Sequence, residues 1–273
     1  MSLRFLLILL IIVCSCQIQA KKYVSLSPHL TEILFDLGVG EQLVGTVEHS
    51  DYPAAAKDLA IIGNFHQLNI EAIVAYQPDI IFAWPDGNPQ LQLDRLADLG
   101  LQIFESRPQN LQQLIDEIIT IGNLVGKTQR ATQLTDAMRY EARQISERFQ
   151  AKQPMRVFYQ IWHQPLRALG SDPWLNDLLS RCGAVNLFAH LPQAFPLVSI
   201  EAVLEKQPDI ILLPEANQHA ANVELWQKWP ALSAVKNNNI ATINADWLHR
   251  YTRRSIQGLS SLCESIDTIR NKS

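Results

Sequence analysis

The sequence predicts an α/β protein built as two doubly wound, Rossmann-like lobes joined by one long α-helix, with a ligand cleft between the lobes. Three observations predict it. The stretch Ile70 to Trp84, IEAIVAYQPDIIFAW, returns 130 positions later as Ile200 to Pro214, IEAVLEKQPDIILLP. Short apolar runs of strand type alternate with helix-type periodicity before and after the chain's midpoint, the pattern of parallel sheets with crossover helices. Between the two alternating series lies KTQRATQLTDAMRYEARQISERFQ, residues 127–150, which contains neither Gly nor Pro. The organisation that follows is an export signal over 1–20, an N-terminal lobe over 21–126, a connecting helix over 127–152 and a C-terminal lobe over 153–273.

In chain order, KYVSLS (22–27) is a β-rich run stopped by Pro28, and HLTEILFDLG carries Leu30, Ile33, Leu34 and Leu37 at helical spacing with Gly38 as its stop. EQLVGT (41–46) reads as a short strand and Ser50-Asp51-Tyr52-Pro53 as a loop. Each repeat copy opens on a residue able to cap a helix, Asn69 or Ser199, and is stopped by Pro78 or Pro208, because proline has no N–H and disfavours helical geometry in the residue before it. A continuous apolar run follows in each, the mark of a strand buried on both faces. Pro85-Asp86-Gly87-Asn88-Pro89 is a turn, Leu91 to Leu99 a helix ended by Gly100, Leu101 to Phe104 a strand, and Leu111 to Val125 a helix. The connecting segment shows only a thin apolar stripe, Ala131, Leu134, Met138, Ala142 and Ile145, which suits a helix lying across two bodies. Strand MRVFYQI (155–161), a helix over Pro173 to Cys182, the second repeat, a strand over Ile240 to Ile243 and a helix over Ser255 to Ile269 complete the second series.

With 47% hydrophobic and 18% charged residues and a net charge of -4, the chain has an ordinary globular balance and lacks the basic block of a nucleic-acid binder. Arg4, the apolar core Phe5 to Val13 and the small and polar residues after it read as an export signal, too short for a membrane span. Cleavage after Ala20 would release a soluble chain beginning at Lys21; the alternative is acylation of Cys16, since Val13-Cys14-Ser15-Cys16 resembles a lipobox. Two cysteines then remain, Cys182 and Cys263. In an oxidising compartment that pair is most simply a disulfide, with two buried free thiols as the alternative.

Catalysis has no anchor. Gly38-Val39-Gly40 with Gly45 follows a helix and has the wrong spacing for a phosphate loop, and no nucleophile elbow, H-E-x-x-H or P-loop occurs. His29, His49, His66, His163, His190, His219 and His249 are scattered without metal-ligand spacing and read mostly as surface or loop histidines. The aromatics say more. Tyr52, Phe65, Trp84, Trp162, Phe195 and Trp247 fall in loops or at strand ends, the places that line a cleft in such sheets, and favour a large, flat, partly apolar ligand. Asp246 and Arg250 would supply polar contacts beside Trp247, a local surface ion pair being their plain alternative. Glu71 and Glu201 open the two repeat helices. The helix dipole alone could account for them, but their equivalence also suits docking onto a two-fold partner carrying basic residues.

SLSPHLTEILFDLGVGEQLVGT, SDYP, the N-I-E-A-I-V-x-x-x-P-D block, FAWPDGN, the Cys182 region, the V-S-x-E block and ADWLHR together resemble the periplasmic substrate-binding proteins of ABC importers for metal chelates, nearest to their cobalamin (vitamin B12) members. The likeness implies a periplasmic, non-enzymatic carrier without a resident cofactor, whose cargo is cobalamin and whose partner is the permease dimer of the inner membrane. It implies corrin contacts for Tyr52 and Trp84. Phe65 and Phe195 stand where the best-known member has tryptophans, so that surface stays aromatic but is smaller. Asp246 and Arg250 would be polar ligand contacts, Glu71 and Glu201 would salt-bridge permease arginines, and Cys182 and Cys263 would form the family disulfide. The likeness is weak over IWHQPLRALG, around Trp162, His163 and Arg167, and His66 and His249 have no counterpart. Haem or a ferric siderophore is the neighbouring cargo. An exported metal-dependent α/β hydrolase using His163 or His249 is the reading from another class.

Overall fold

A computed structural model describes residues 21–215 and 223–272; the segment expected to be an export signal, with Cys14 and Cys16, and also His219, lie outside them. The first half alternates strand and helix: β1 (Tyr23–Ser25), α1 (Pro28–Asp36), β2 (Leu43–Gly45), α2 (Ile70–Tyr76), β3 (Ile80–Ala83), α3 (Gln90–Asp98), β4 (Ile103–Glu105) and α4 (Leu111–Leu124). Its four strands are all parallel in the order β2-β1-β3-β4. The long helix α5 (Thr128–Phe149) follows.

The second half runs β5 (Met155–His163), β6 (Leu166–Ala168), α6 (Pro173–Arg181), β7 (Ala184–Asn186), α7 (Ile200–Lys206), β8 (Ile210–Glu215), α8 (Val223–Gln227), α9 (Ser233–Lys236), β9 (Ile240–Asn244), α10 (Ala245–Leu248) and α11 (Ser255–Arg270). Here β7, β8 and β9 join β5 in a parallel sheet, but β6 pairs antiparallel with the far end of β5. That hairpin and the short helices α8 to α10 have no clear periodicity and were not anticipated.

The repeat builds the same corner twice. Asn69 and Ser199 each accept the amide of the residue three positions on, at 3.0 and 3.2 Å. Gln77 and Gln207 then turn left-handed, with φ of 52° and 44°, which breaks the helix just before the proline. The aspartate after each proline stitches the corner to the neighbouring strand: the Asp79 carboxylate accepts the Lys22 amide at 2.7 Å and the Asp209 carboxylate that of Arg156 at 2.8 Å. The strands beyond are buried, and their residues alternate between two cores. Ile80 and Phe82 in β3, and Ile210 and Leu212 in β8, enter one common apolar cluster; Ile81 and Ala83 face a second cluster confined to the first half, and Ile211 and Leu213 a third confined to the second.

The common cluster explains α5. Ala131, Met138 and Ala142 are buried in it and Leu134 and Ile145 pack at its edge, while α5 touches α4 of the first half and α6 and α11 of the second. The thin stripe therefore glues two sheets together along one seam. Cys182 and Cys263 are disulfide-bonded with Cα atoms 4.6 Å apart, tying the end of α6 to the middle of α11. The bond spans 81 residues. Its removal in a Cys182→Ser/Cys263→Ser variant is expected to lower unfolding free energy by about 4 kcal/mol in the chain-entropy picture. Urea titration of the oxidised protein and the variant measures it; equal midpoints would show that the shared core already supplies the constraint.

Candidate functional site

Because the first sheet is parallel, the carboxyl ends of β1, β2 and β3 open on one edge, and three loops meet there. Buried hydroxyls hold the first two together: Thr31 on α1 bonds Ser25 at 2.9 Å and Thr46 at 2.7 Å, and Thr46 bonds Ser50 at 2.8 Å. Asn88 fixes the third, accepting the Trp84 amide and donating to the Leu26 carbonyl, both at 2.8 Å. Gly87 is needed under that turn, since a Cβ there would lie 2.1 Å from the Trp84 ring. The loops enclose a cavity of about 390 Å³ whose wall includes Phe65, Trp84, His49 and Asp86. A cavity of similar size between α4, α5 and α6 is polar and lined by Arg139, Arg143 and Arg181. Two of those arginines are already paired, with Asp116 and Asp136 and with Asp177, so the aromatic cavity is the better ligand site.

The second half closes on this edge through residues 246–254. Glu32, on α1 and only 2% exposed, takes Arg254 in a two-pronged contact, one prong at 2.8 Å, and Arg250 at 3.3 Å. Arg250 also reaches Asp51 at 2.8 Å and Asp246 at 3.1 Å, and Arg253 lies 3.6 Å from Asp36. The Arg254 guanidinium covers the Tyr52 ring at 4.1 Å. Burial pushes the Asp51 carboxyl up, but the hydrogen bond and charge of Arg250 outweigh it and hold the group below its ordinary value. Below this network the rings of His29, Trp84 and Tyr251 meet edge to face, and Trp174 meets Tyr251 in the same way. Burial first, and then the carboxylates of Asp172, Asp86 and Glu117, push the Tyr251 phenol up.

The residues singled out from sequence fall into three groups. Tyr52, Trp84, Asp246 and Arg250 belong to the contact network across the two halves, and Phe65, 61% exposed, shares the cavity with Trp84. Trp162 and Phe195 are exposed on the second half and are joined through Arg167, which pairs with Trp162 across the hairpin and donates to the Phe195 carbonyl at 2.9 Å. Trp247 is half-buried within α10, its amide held by the Asn244 side chain that caps the helix. Glu71 and Glu201 stand exposed in the first turns of α2 and α7, away from the network.

Two sequence expectations need correction. Asp246 and Arg250, expected as polar ligand contacts with a local surface ion pair as the plain alternative, form an ion pair, and that alternative fails because the pair extends across the halves to Glu32 and Asp51. His29 is no surface or loop histidine: it is 4% exposed, within reach of the Ser27 and Ser106 hydroxyls at 3.3 and 3.4 Å. Burial, reinforced by the Arg250 charge, lowers its pKa to about 3. His249 bonds the Tyr159 hydroxyl at 2.7 Å; it is crowded by protein yet open to water on one side, and that crowding lowers its pKa while Asp246 opposes the change. Among the described residues no three His, Cys, Asp or Glu side chains converge as a metal site. Glu32 and Tyr251 were missed. A glutamate among apolar helical positions and the basic run RYTRR (250–254) were the signals for that match.

Two measurements check these assignments. Glu32→Gln leaves two arginines facing a neutral amide and is expected to cost about 3–5 kcal/mol of stability by denaturant titration; a loss below about 1 kcal/mol would place the contact with ordinary surface pairs. His29 stays neutral in the fold until about pH 3 but protonates near 6.5 once unfolded, so its stabilising effect is complete above pH 6.5 and is lost progressively as pH falls towards 3. His29→Gln should therefore flatten the decline of melting temperature between about pH 6.5 and 4.5; an unchanged slope would contradict it.

A family model described as periplasmic binding protein matches residues 24–247. The chain is 37% identical over 246 residues to the vitamin B12-binding protein of Vibrio cholerae serotype O1, covering 89% of this chain and 88% of the relative. The crystal structure of a periplasmic vitamin B12 binding protein of Vibrio cholerae superposes with a TM-score of 0.86 at 35% identity, over 92% of this chain and 98% of that one. The periplasmic heme-binding protein of Roseiflexus sp. RS-1 shares the fold, with a TM-score of 0.78 at 23% identity over 92% and 99% of the two chains. On its family match, its identity to that relative and the shared architecture, the chain belongs to the periplasmic binding protein family.

Proposed function

We propose that this protein captures cobalamin in the periplasm and delivers it to the permease of an ABC importer, with no covalent chemistry. The observation that carries the reading is the 390 Å³ cavity at the strand ends, walled by Phe65 and Trp84, in a chain 37% identical to a vitamin B12-binding protein. Flat aromatic faces suit a large macrocycle, which buries area against them at little entropic cost. Tyr52 and Trp84 offer rings from the first half, Trp162, Phe195 and Trp247 from the second, and Asp246 and Arg250 lie at the junction, where they can meet polar edges of the cargo. Glu71 and Glu201 are the matched acids for the permease. Each is exposed, each opens a repeat helix, and neither takes part in the network that holds the halves together.

Calorimetry with cyanocobalamin, haem and a ferric siderophore tests the cargo. Heat and a co-eluting red chromophore are expected with cyanocobalamin alone; binding of haem or the siderophore instead would move the protein to a neighbouring cargo class. Trp84→Ala should weaken cyanocobalamin binding by about 2 kcal/mol, roughly thirtyfold in Kd. Charge reversal at both docking acids, Glu71→Arg with Glu201→Arg, should leave Kd unchanged and abolish uptake through the reconstituted importer. Undiminished uptake would remove these acids from the docking surface.

A further inference from the structure

The loop after β2 carries a histidine that the fold holds in an uncommon conformation and that has no side-chain partner among the described residues. His49 has a φ of 66°, the left-handed region, which costs a non-glycine residue on the order of 1 kcal/mol even though histidine tolerates it better than most. The loop is pinned on both sides. The Glu48 amide donates to the Gly63 carbonyl at 3.0 Å, the Ser50 amide to the Val47 carbonyl at 3.3 Å, and the Asp51 amide to the His49 carbonyl at 3.0 Å. The side chain is exposed and lines the same cavity as Phe65 and Trp84.

The other described histidines are engaged. His29 is held by two serines and two rings, His66 lies against Phe65, His163 against Trp162, His190 against Phe188, and His249 bonds Tyr159. His49 has no such contact among the described residues. The two carboxylates of the cavity wall each have one long contact, Glu48 accepting from the Asn64 side chain at 3.4 Å and Asp86 lying 3.6 Å from Arg107, and as hard oxygen donors they suit Mg, Ca or Mn better than a chelated transition metal. Among the described residues the cavity therefore presents an imidazole without a side-chain partner beside the aromatic faces that receive the macrocycle, and imidazole is the commonest protein ligand for a metal.

We propose that His49 is an axial ligand to the metal of the captured chelate when that metal carries an exchangeable ligand on its open face. The step is a substitution: the imidazole nitrogen lone pair forms the bond to cobalt, the bond from cobalt to water breaks, the water leaves with its own electron pair, and the oxidation state of the metal is unchanged. A cobalamin bearing cyanide on that face does not exchange and is held by stacking and edge contacts alone. His49 thus makes the site selective for the aquo form. The inference rests on the cobalamin reading above.

The test is the visible spectrum of the protein with aquocobalamin, read beside its affinity for cyanocobalamin. Wild-type protein is expected to move the bound aquocobalamin spectrum to that of the imidazole-ligated form and to bind it more tightly than cyanocobalamin. His49→Ala should lose both the shift and the affinity advantage, whereas His66→Ala should keep the shift. A bound spectrum identical to that of free aquocobalamin, or a shift that survives in His49→Ala, would overturn the coordination while leaving cyanocobalamin binding as evidence for the cargo. Failure of the wild type to bind either corrinoid would overturn the cargo reading and the coordination together.

Discussion

A buried carboxylate cannot be left alone, and in this protein that constraint sets the relation between the two sheets. Glu32 sits on the first helix of the first half with almost no exposure, and its compensating charges, Arg250 and Arg254, come from the far end of the second. Desolvating a carboxylate costs several kcal/mol, and two guanidiniums with their hydrogen bonds offset that cost only when they arrive in good geometry. The halves must consequently meet at one distance and one angle for the charge to be tolerated. Asp51 and Tyr52 take the remaining valences of the same arginines, so the loop that forms one lip of the cavity is fixed by the contact that fixes the halves.

Below that ionic contact the same relation is enforced by apolar packing. Each central strand sends alternate residues into a private cluster and into the common one, and the common cluster runs without interruption from β3 through α5 to β8. A structure with two independent cores could hinge on a linker. Here a hinge motion would have to open a packed interior, which costs cavity surface and lost dispersion contacts at once. The disulfide between α6 and α11 stiffens the second half where α5 leans on it. A cleft so constrained is preorganised, and cargo binding need not supply the free energy of assembling it.

Much of this was legible in the chain. The duplicated corner announced itself through proline stops, capping residues and paired isoleucines, all of which act over a few residues and so leave a local trace. The stripe on α5 gave its role, and the chemistry of the cysteines their pairing. The floor of the site was less legible because its partners lie far apart: Glu32 and Arg254 are 222 positions from each other, and Ser106, Trp84 and Tyr251 converge on His29 from distant parts of the chain. The β5–β6 hairpin escaped notice because an antiparallel turn interrupts an otherwise parallel pattern just where the family likeness is weakest.

The central claim is that the two halves are locked at a fixed separation before cargo arrives. The direct measurement is the distance between spin labels placed at Leu91 on α3 and Val185 on β7, both exposed, in the protein with and without cyanocobalamin. The account predicts one narrow distance distribution that moves by no more than about 1 Å on binding. A broad or two-peaked distribution in the free protein, collapsing to a shorter distance with cargo, would contradict it.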